Sequence, residues 1–283
     1  MYGETWTPYR FVAPAALLLL LILGFPAATA IYDSFAGGKT SGGFSNYARL
    51  LGDTEFRATA LNTLIFVVTV VTMHVLLGMT VALMLDLNIA ARWLFRVIAI
   101  LPWTMPDVIG GLIFRFIFDT LSGGVNAIGL FLGLMAQPFD WLGSPTWSLF
   151  AVIMAETWRG YPYVMLILLA GLQAIPSDQY EAAAIDGAGW LRCFVSVTLP
   201  NLKTVLIIAV VLDTVWESRL FGMIYGMTGG GPGTSTQNLS LMVYKNYFQF
   251  FDTAYAASIA VVMAAVLLIC AMPYLRATIR QEG

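Results

Sequence analysis

Charge is what this chain has least of. Asp, Glu, Lys and Arg make up 11% of its 283 residues, where a soluble domain carries about 25%. Hydrophobic residues reach 59% and the mean hydropathy is +0.80. A surface so poor in charge cannot face water on every side, so lipid must serve as part of its solvent. Basic excess is also missing. The formal net charge is -2 and the isoelectric point near 5.3, which excludes a nucleic-acid partner bound through phosphates. Of the two cysteines, Cys193 and Cys270 lie in unrelated segments, so neither a disulfide framework nor a thiolate metal site is expected. The single histidine, His74, sits in an apolar run and reads as a packed helix residue, not a ligand or proton relay. No nucleotide motif, metal-ligand cluster or nucleophile–base pair stands out. The chain is therefore expected to bind no cofactor or metal, to catalyse nothing, and to supply a pathway driven from outside.

What is present is length in apolar residues. A membrane-crossing helix needs roughly 20 of them. Six stretches qualify, at about 11–32, 58–86, 93–118, 147–173, 201–228 and 253–275. The whole of 1–283 thus reads as one all-α integral membrane domain. The third stretch is interrupted by "LPWTMPDVIGG" (Leu101 to Gly111), which predicts a kink or break. In the first, Arg10, "LLLLLIL" and "ATA" also mimic a secretory signal. Its apolar length, Phe11 to Tyr32, favours a retained anchor. With the N-terminus inside, the inner loops hold Arg10, Arg92, Arg96, Arg192, Lys203, Arg276 and Arg280, and the outer ones Lys39, Arg49, Arg57 and Lys245. That positive-inside bias places both termini and residues 177–200 in the cytoplasm. The outer loops, about 33–57, 119–146 and 229–252, carry the turn-forming runs "SGG", "GSPT" and "GGGPGTST".

A small-residue, charged insert lies between the fourth and fifth stretches: "YEAAAIDGAGWLRCFVSVTLP", Tyr180 to Pro200. Asp178 and Glu181 predict a capping box that opens a helix after Pro176. Tyr180, Ala183, Ala184 and Gly187 would share a face that is nearly bare beyond the tyrosine. Gly187 and Gly189 would end this helix, and a second short one would run from Trp190 toward Pro200. The residues alone allow an amphipathic connector on the membrane surface or a close-packed joint with another protein. "EAAAIDG", nine residues, then "VTLP" resembles the EAA loop of ATP-binding-cassette (ABC) importer permeases, with Val197 where isoleucine is usual. "ETWRGYPYVMLILLAGLQAIPSDQYEAAAIDGAG" (Glu156 to Gly189) and "MTGGGPGTSTQNLSLMVYKNYF" (Met227 to Phe248) are similar to carbohydrate-uptake permeases related to the maltose system, on the side of the first, maltose-F-like, subunit. The glycine-rich run lacks the G-K-[ST] ending of a phosphate loop.

The resemblance implies a type I importer permease of six transmembrane helices with a cytoplasmic helix–turn–helix that docks on an ATPase. Glu181, Ala182, Ala183, Asp186, Gly187, Leu199 and Pro200 fall on its coupling positions. The implied partners are a second permease in a heterodimer, an ATPase dimer that binds ATP and Mg, and an extracytoplasmic sugar-binding protein. The implied location is the bacterial inner membrane.

A charge at mid-membrane costs about 2.5–3.5 kcal/mol on insertion scales, so intramembrane charges are functional candidates. The fourth stretch carries Glu156, Arg159 and Tyr163 on one stripe, and the fifth carries Asp213, Glu217 and Leu220, with Trp216 and Arg219 beside them. The resemblance places substrate contacts at Glu156, Arg159, Gly160 and Tyr163, and at Asp213, Trp216, Glu217 and Leu220. The maltose-type pattern has neutral or apolar residues at several of these places. The charges here point to a polar di- or oligosaccharide or an amino-sugar-containing glycan. Two alternatives stay open from the residues: structural ion pairs, Glu156 with Arg159 and Arg219 with an acid on another helix, or a proton-coupled secondary transporter using Asp107, Glu156 or His74.

Overall fold

The computed structural model describes residues 7–279 apart from 38, 40 and 89. Arg280, counted above with the inner loops, lies outside them. In chain order the helices are α1 (Tyr9–Ser34), α2 (Ser45–Gly52), α3 (Thr54–Asp86), α4 (Arg92–Ile100), α5 (Asp107–Ile117) and α6 (Gly124–Phe131). They are followed by α7 (Trp147–Gln173), α8 (Ser177–Ile185), α9 (Trp190–Ser218), α10 (Gly222–Met227), α11 (Leu239–Tyr244) and α12 (Thr253–Ile279). No strand occurs among the described residues. Helices α1, α3, α9 and α12 are each long and apolar enough to cross a bilayer. Two bent pairs also qualify, α4 with α5 at 95° and α7 with α8 at 70°, which brings the candidate spans to six if each pair counts once.

The prolines explain most of the irregularities. At the third stretch α4 tightens into a 3₁₀ turn, Leu101–Thr104, and Met105 is extended at ψ 128°. Pro106 forces that extension by crowding the residue before it, and α5 starts immediately after. In α1 and α9 the chain takes a milder course. Pro26 and Pro200 each lack a backbone N–H, and each follows a single π turn, Leu20–Gly24 and Phe194–Thr198. There Phe25 N–H donates to Leu20 and Leu199 N–H to Phe194, five residues back. The widened turn gives the ring room without breaking the helix. The expected range of the fifth span, 201–228, is corrected accordingly. Its helix begins at Trp190, runs through Pro200 and stops at Ser218, and a separate short helix, α10, follows. The short second helix expected between Trp190 and Pro200 is the first part of α9.

Two compact units emerge. One combines the chain up to Phe56 with Met242–Val266, and the other is built on Arg57–Leu241. Within the first, Arg49 holds the buried carboxylate of Asp252 at 2.8 Å and lies 3.8 Å over the ring of buried Tyr255. Asn46 donates to the carbonyls of Ser34 and Ala36, both at 3.1 Å, tying α2 to the end of α1.

Within the second unit α7 is the central element. Its Ala151, Val152, Ala155, Val164, Met165 and Leu168 are fully buried. Met165 and Leu168 share one core with Ala82 of α3 and with Leu202 and Ala209 of α9. The loop after α10 is held by polar groups of α3: Asn62 donates to the Thr234 carbonyl at 2.8 Å, Gln237 to the Thr59 hydroxyl at 3.2 Å, and the Leu239 N–H to the Thr63 hydroxyl at 3.0 Å.

Helices α5 and α10 meet backbone to backbone. A Cβ on Gly226 would stand 2.6 Å from the Val108 carbonyl oxygen, and one on Gly111 would stand 2.6 Å from that of Met223. This contact fixes the start of α5, and with it Asp107. Gly226→Leu should therefore destabilise the protein by about 1–3 kcal/mol through overpacking. Thermal unfolding in detergent measures this, and a variant as stable as the parent would contradict the packing.

Candidate functional site

Two regions carry the candidate residues. The first is a buried polar cluster where α3, α5, α7 and α9 meet. Glu156 and Arg159, one turn apart on α7, form a bidentate pair, with Nη2 to Oε1 at 2.5 Å and Nε to Oε2 at 3.1 Å. Arg159 Nη1 reaches across to Asp107 at the start of α5, 2.9 Å away. Glu156 is fully buried and Arg159 nearly so, whereas the Asp107 side chain is 40% exposed. Two carboxylates around one guanidinium keep every charge on it partnered, which is what a desolvated arginine requires. Of the two ion pairs that the sequence left open, one forms. Arg219 is exposed, and its Nε donates to the Val215 carbonyl at 3.3 Å.

The second half of the cluster rests on His74 of α3. Its Nδ1 lies 3.0 Å from Asp213 Oδ2, and its Nε2 lies 3.2 Å from the Glu156 carbonyl. Gly160 permits this approach, since a Cβ there would stand 2.3 Å from the imidazole Cε1. Asp213 and Glu217, one turn apart on α9, are both buried, and Glu217 Oε2 has no hydrogen-bond partner. Above them Trp103, Tyr163 and Trp216 form a ladder of stacked rings, with centroids 6.1 and 6.2 Å apart. These rings, with Arg159, Gly160, Asp213 and Glu217, enclose a cavity of about 10 Å³. Leu220 is buried away from it, its carbonyl bonded by Asn238, and Glu156 sits behind Arg159.

The structure thus brings seven of the eight expected residues into one cluster, and it adds three that the sequence did not place there. His74 was read as packing or, like Asp107, as part of a rival relay. Trp103 falls in the proline-broken stretch, where no helical period points to a face. Intramembrane polarity was the signal available for the first two.

The second region is the insert. Helix α8 ends in a Schellman cap: Gly187 takes φ +72°, its N–H donates to Ala184 at 3.0 Å, and the Ala188 N–H donates to Ala183 at 2.9 Å. The expected capping box is not formed, because Pro176 is the N-cap and Asp178 accepts only from the Gln179 N–H, at 3.0 Å. The expected bare face is divided, with Ala184 and Gly187 exposed. Tyr180 is half-buried, with its hydroxyl 3.0 Å from that of Thr198 on α9, and Ala183 is half-buried beside it. Glu181, Ala182, Ile185, Asp186 and Gly187 face outward, with Ile185 87% exposed and Trp190 72% exposed. Leu199 and Pro200 are exposed on the first turns of α9.

Comparison with known proteins agrees with this architecture. Residues 74–280 match the family described as binding-protein-dependent transport system inner membrane component. The sulfoquinovosyl glycerol transport system permease SmoG of Agrobacterium fabrum is 37% identical, over 97% of this chain and 91% of its own length. The trehalose/maltose transport system permease MalF of Thermococcus litoralis is 35% identical, over 97% and 94%. Among solved structures, a chain of a bacterial ABC transporter that imports the acidic polysaccharide alginate superposes with a TM-score of 0.83. It is 21% identical, covering 97% of this chain and 96% of that one. With its helices, its insert and these relatives, the chain belongs to the binding-protein-dependent transport system inner membrane component family, as a multi-pass inner-membrane permease of the ABC importer kind.

Proposed function

We propose that this chain forms half of the translocation pathway of an ATP-driven carbohydrate importer and is moved by a separate ATPase through residues 177–200. One observation carries the reading: α9 is continuous from Trp190 to Ser218. The exposed Trp190 and Leu191 at its start and the buried Asp213 and Glu217 near its end ride on the same rod, about 40 Å apart at 1.5 Å per residue. A push at the insert is therefore delivered to the polar cluster along one unbroken helix. The Schellman cap and the Tyr180–Thr198 bond fix α8 to this rod, so the insert moves as one piece.

Glu181, Ala182, Asp186 and Gly187, with the apolar knobs Ile185 and Trp190, form the docking face for the ATPase. Leu199 and Pro200 mark its junction with the membrane span. The N-terminus, the C-terminus and the insert lie in the cytoplasm, as the Lys/Arg bias of the loops directs. A second permease completes the pathway as a heterodimer partner. An extracytoplasmic binding protein delivers the sugar, and ATP and Mg belong to the ATPase dimer.

The relatives named for sulfoquinovosyl glycerol and for trehalose and maltose support a glycoside substrate, a di- or oligosaccharide. The chemistry of the cluster agrees with it. Arg159, Asp213 and Glu217 offer planar donors and acceptors to hydroxyls, while Tyr163, Trp216 and Trp103 offer faces on which a pyranose can stack. The acid excess would also serve an amino-bearing glycan. A cavity of about 10 Å³ admits no sugar ring. Substrate must part the aromatic ladder, so this conformation is a closed one in the transport cycle.

Two outcomes test the reading. Gly187→Trp, which cannot hold the left-handed turn and crowds the docking face, should abolish co-purification of the ATPase while the permease still reaches the membrane. Retention of the ATPase by that variant would remove the insert from the interface. Glu217→Gln should lower sugar uptake at least about tenfold, an energy near 1.4 kcal/mol, with the complex still assembled. Undiminished uptake in that variant would take Glu217 out of the pathway.

A further inference from the structure

The polar groups around His74 leave one buried acceptor over, Glu217 Oε2. The Glu156 carbonyl oxygen can only accept, so Nε2 at 3.2 Å must be the nitrogen that carries hydrogen. Nδ1 then confronts Asp213 Oδ2, another acceptor, at 3.0 Å. A proton on Nδ1 would satisfy that contact alone. It would leave Glu217, one turn along α9, buried with an unpartnered Oε2. His74, Asp213 and Glu217 offer one ligand atom each, all within 4.8 Å of one another.

We propose that His74, Asp213 and Glu217 bind one divalent transition-metal ion beneath the aromatic ladder. Charge counting supports the assignment. Two positive charges neutralise Asp213 and Glu217 together with a neutral imidazole. Arg159 already neutralises Glu156, and half-exposed Asp107 keeps solvent. An imidazole with two carboxylates suits zinc and its borderline neighbours, and three protein ligands leave one coordination position open. The Nε2–H bond to the Glu156 carbonyl is the outer partner that orients a ligating histidine. Glu217 can swing its free oxygen to the ion without breaking a bond of that oxygen. Asp213 and Glu217 repel one another at i, i+4 spacing unless a cation intervenes, but His74 lies 139 residues from Asp213, and no spacing rule joins it to them.

The proposal stands on this cluster and not on the sugar reading, so metal content is measured apart from transport. The assembled complex, with any affinity tag removed, is stripped with EDTA, dialysed against Zn²⁺ and then against metal-free buffer, and its zinc counted by mass spectrometry. About one zinc per chain is expected from a three-ligand site. In Glu217→Gln, zinc affinity should fall at least about tenfold. Co²⁺ in place of zinc should show visible d–d bands without a thiolate charge-transfer band, and X-ray absorption should show an imidazole ligand. Wild-type chain that retains no metal overturns the site, as does equal zinc in wild type and Glu217→Gln. A thiolate band would place the ion on Cys193 or Cys270 and overturn it too. Should Glu217→Gln fail to assemble, the imidazole signature in the wild type decides, and its absence overturns the proposal.

Discussion

Everything in the second unit is arranged around a guanidinium that cannot be left alone in lipid. Arg159 lies on the central helix α7 of this unit, and its charge there would be costly without partners. Glu156 supplies one from the same helix, and Asp107 supplies the other from the start of α5. The second partner has structural consequences. Asp107 stands at the head of a helix, and the third stretch breaks just ahead of it at Pro102 and Pro106. Helix α5 must then be held in place, and the glycine contact with α10 does so. A sequence that merely needed six apolar spans would have no reason to interrupt the third. The interruption leaves an acid beside Arg159.

The same logic separates the two halves of the cluster. Arg159, Glu156 and Asp107 form a set in which each charge has a partner and the outermost acid reaches solvent. His74, Asp213 and Glu217 form a set with more acceptors than donors. Nothing in packing favours that surplus, since an apolar residue at Glu217 would bury at no electrostatic cost. A surplus of buried acceptors beside a set that is already balanced marks the side of the cluster where an external positive charge, or a hydroxyl that donates, belongs.

Much of this was legible in the sequence, and the limits of legibility have physical causes. The insert could be read because its signal is local: Gly187 and Pro200 act on their own turns of backbone. Its outward face could not be read, because a period of 3.6 says which residues share a side but not which side a neighbour covers. The Tyr180–Thr198 bond settles that, and it joins residues on two helices. The fifth span was misplaced for a similar reason. Proline reads as a boundary, yet the π turn ahead of Pro200 lets one helix pass through it. In the cluster, residues one or two turns apart on α7 and α9 announced themselves as stripes. His74, Asp107 and Trp103 arrive singly from other segments, and no spacing rule joins them.

The closed aromatic ladder and the continuous α9 bear on each other. Trp216 sits on the rod that begins at the insert, Tyr163 on the buried α7, and Trp103 on the proline-broken turn before α5. A displacement of α9 along or about its axis moves Trp216 relative to Tyr163, because the helix runs unbroken from Trp190 to Trp216 and bends only as far as its π turn and Pro200 allow. Stacked rings at about 6 Å lose contact over displacements on the order of an ångström, since dispersion falls off steeply with separation. The ladder is thus a latch whose opening scales directly with motion at the insert. A ligand or an ATPase state can shift such a latch only by binding its open and closed forms differently. For a sugar the difference is steric, since the closed form leaves it no room, whereas for the insert it is the position of Ile185 and Trp190 against a partner. One unbroken helix makes those two preferences the same equilibrium.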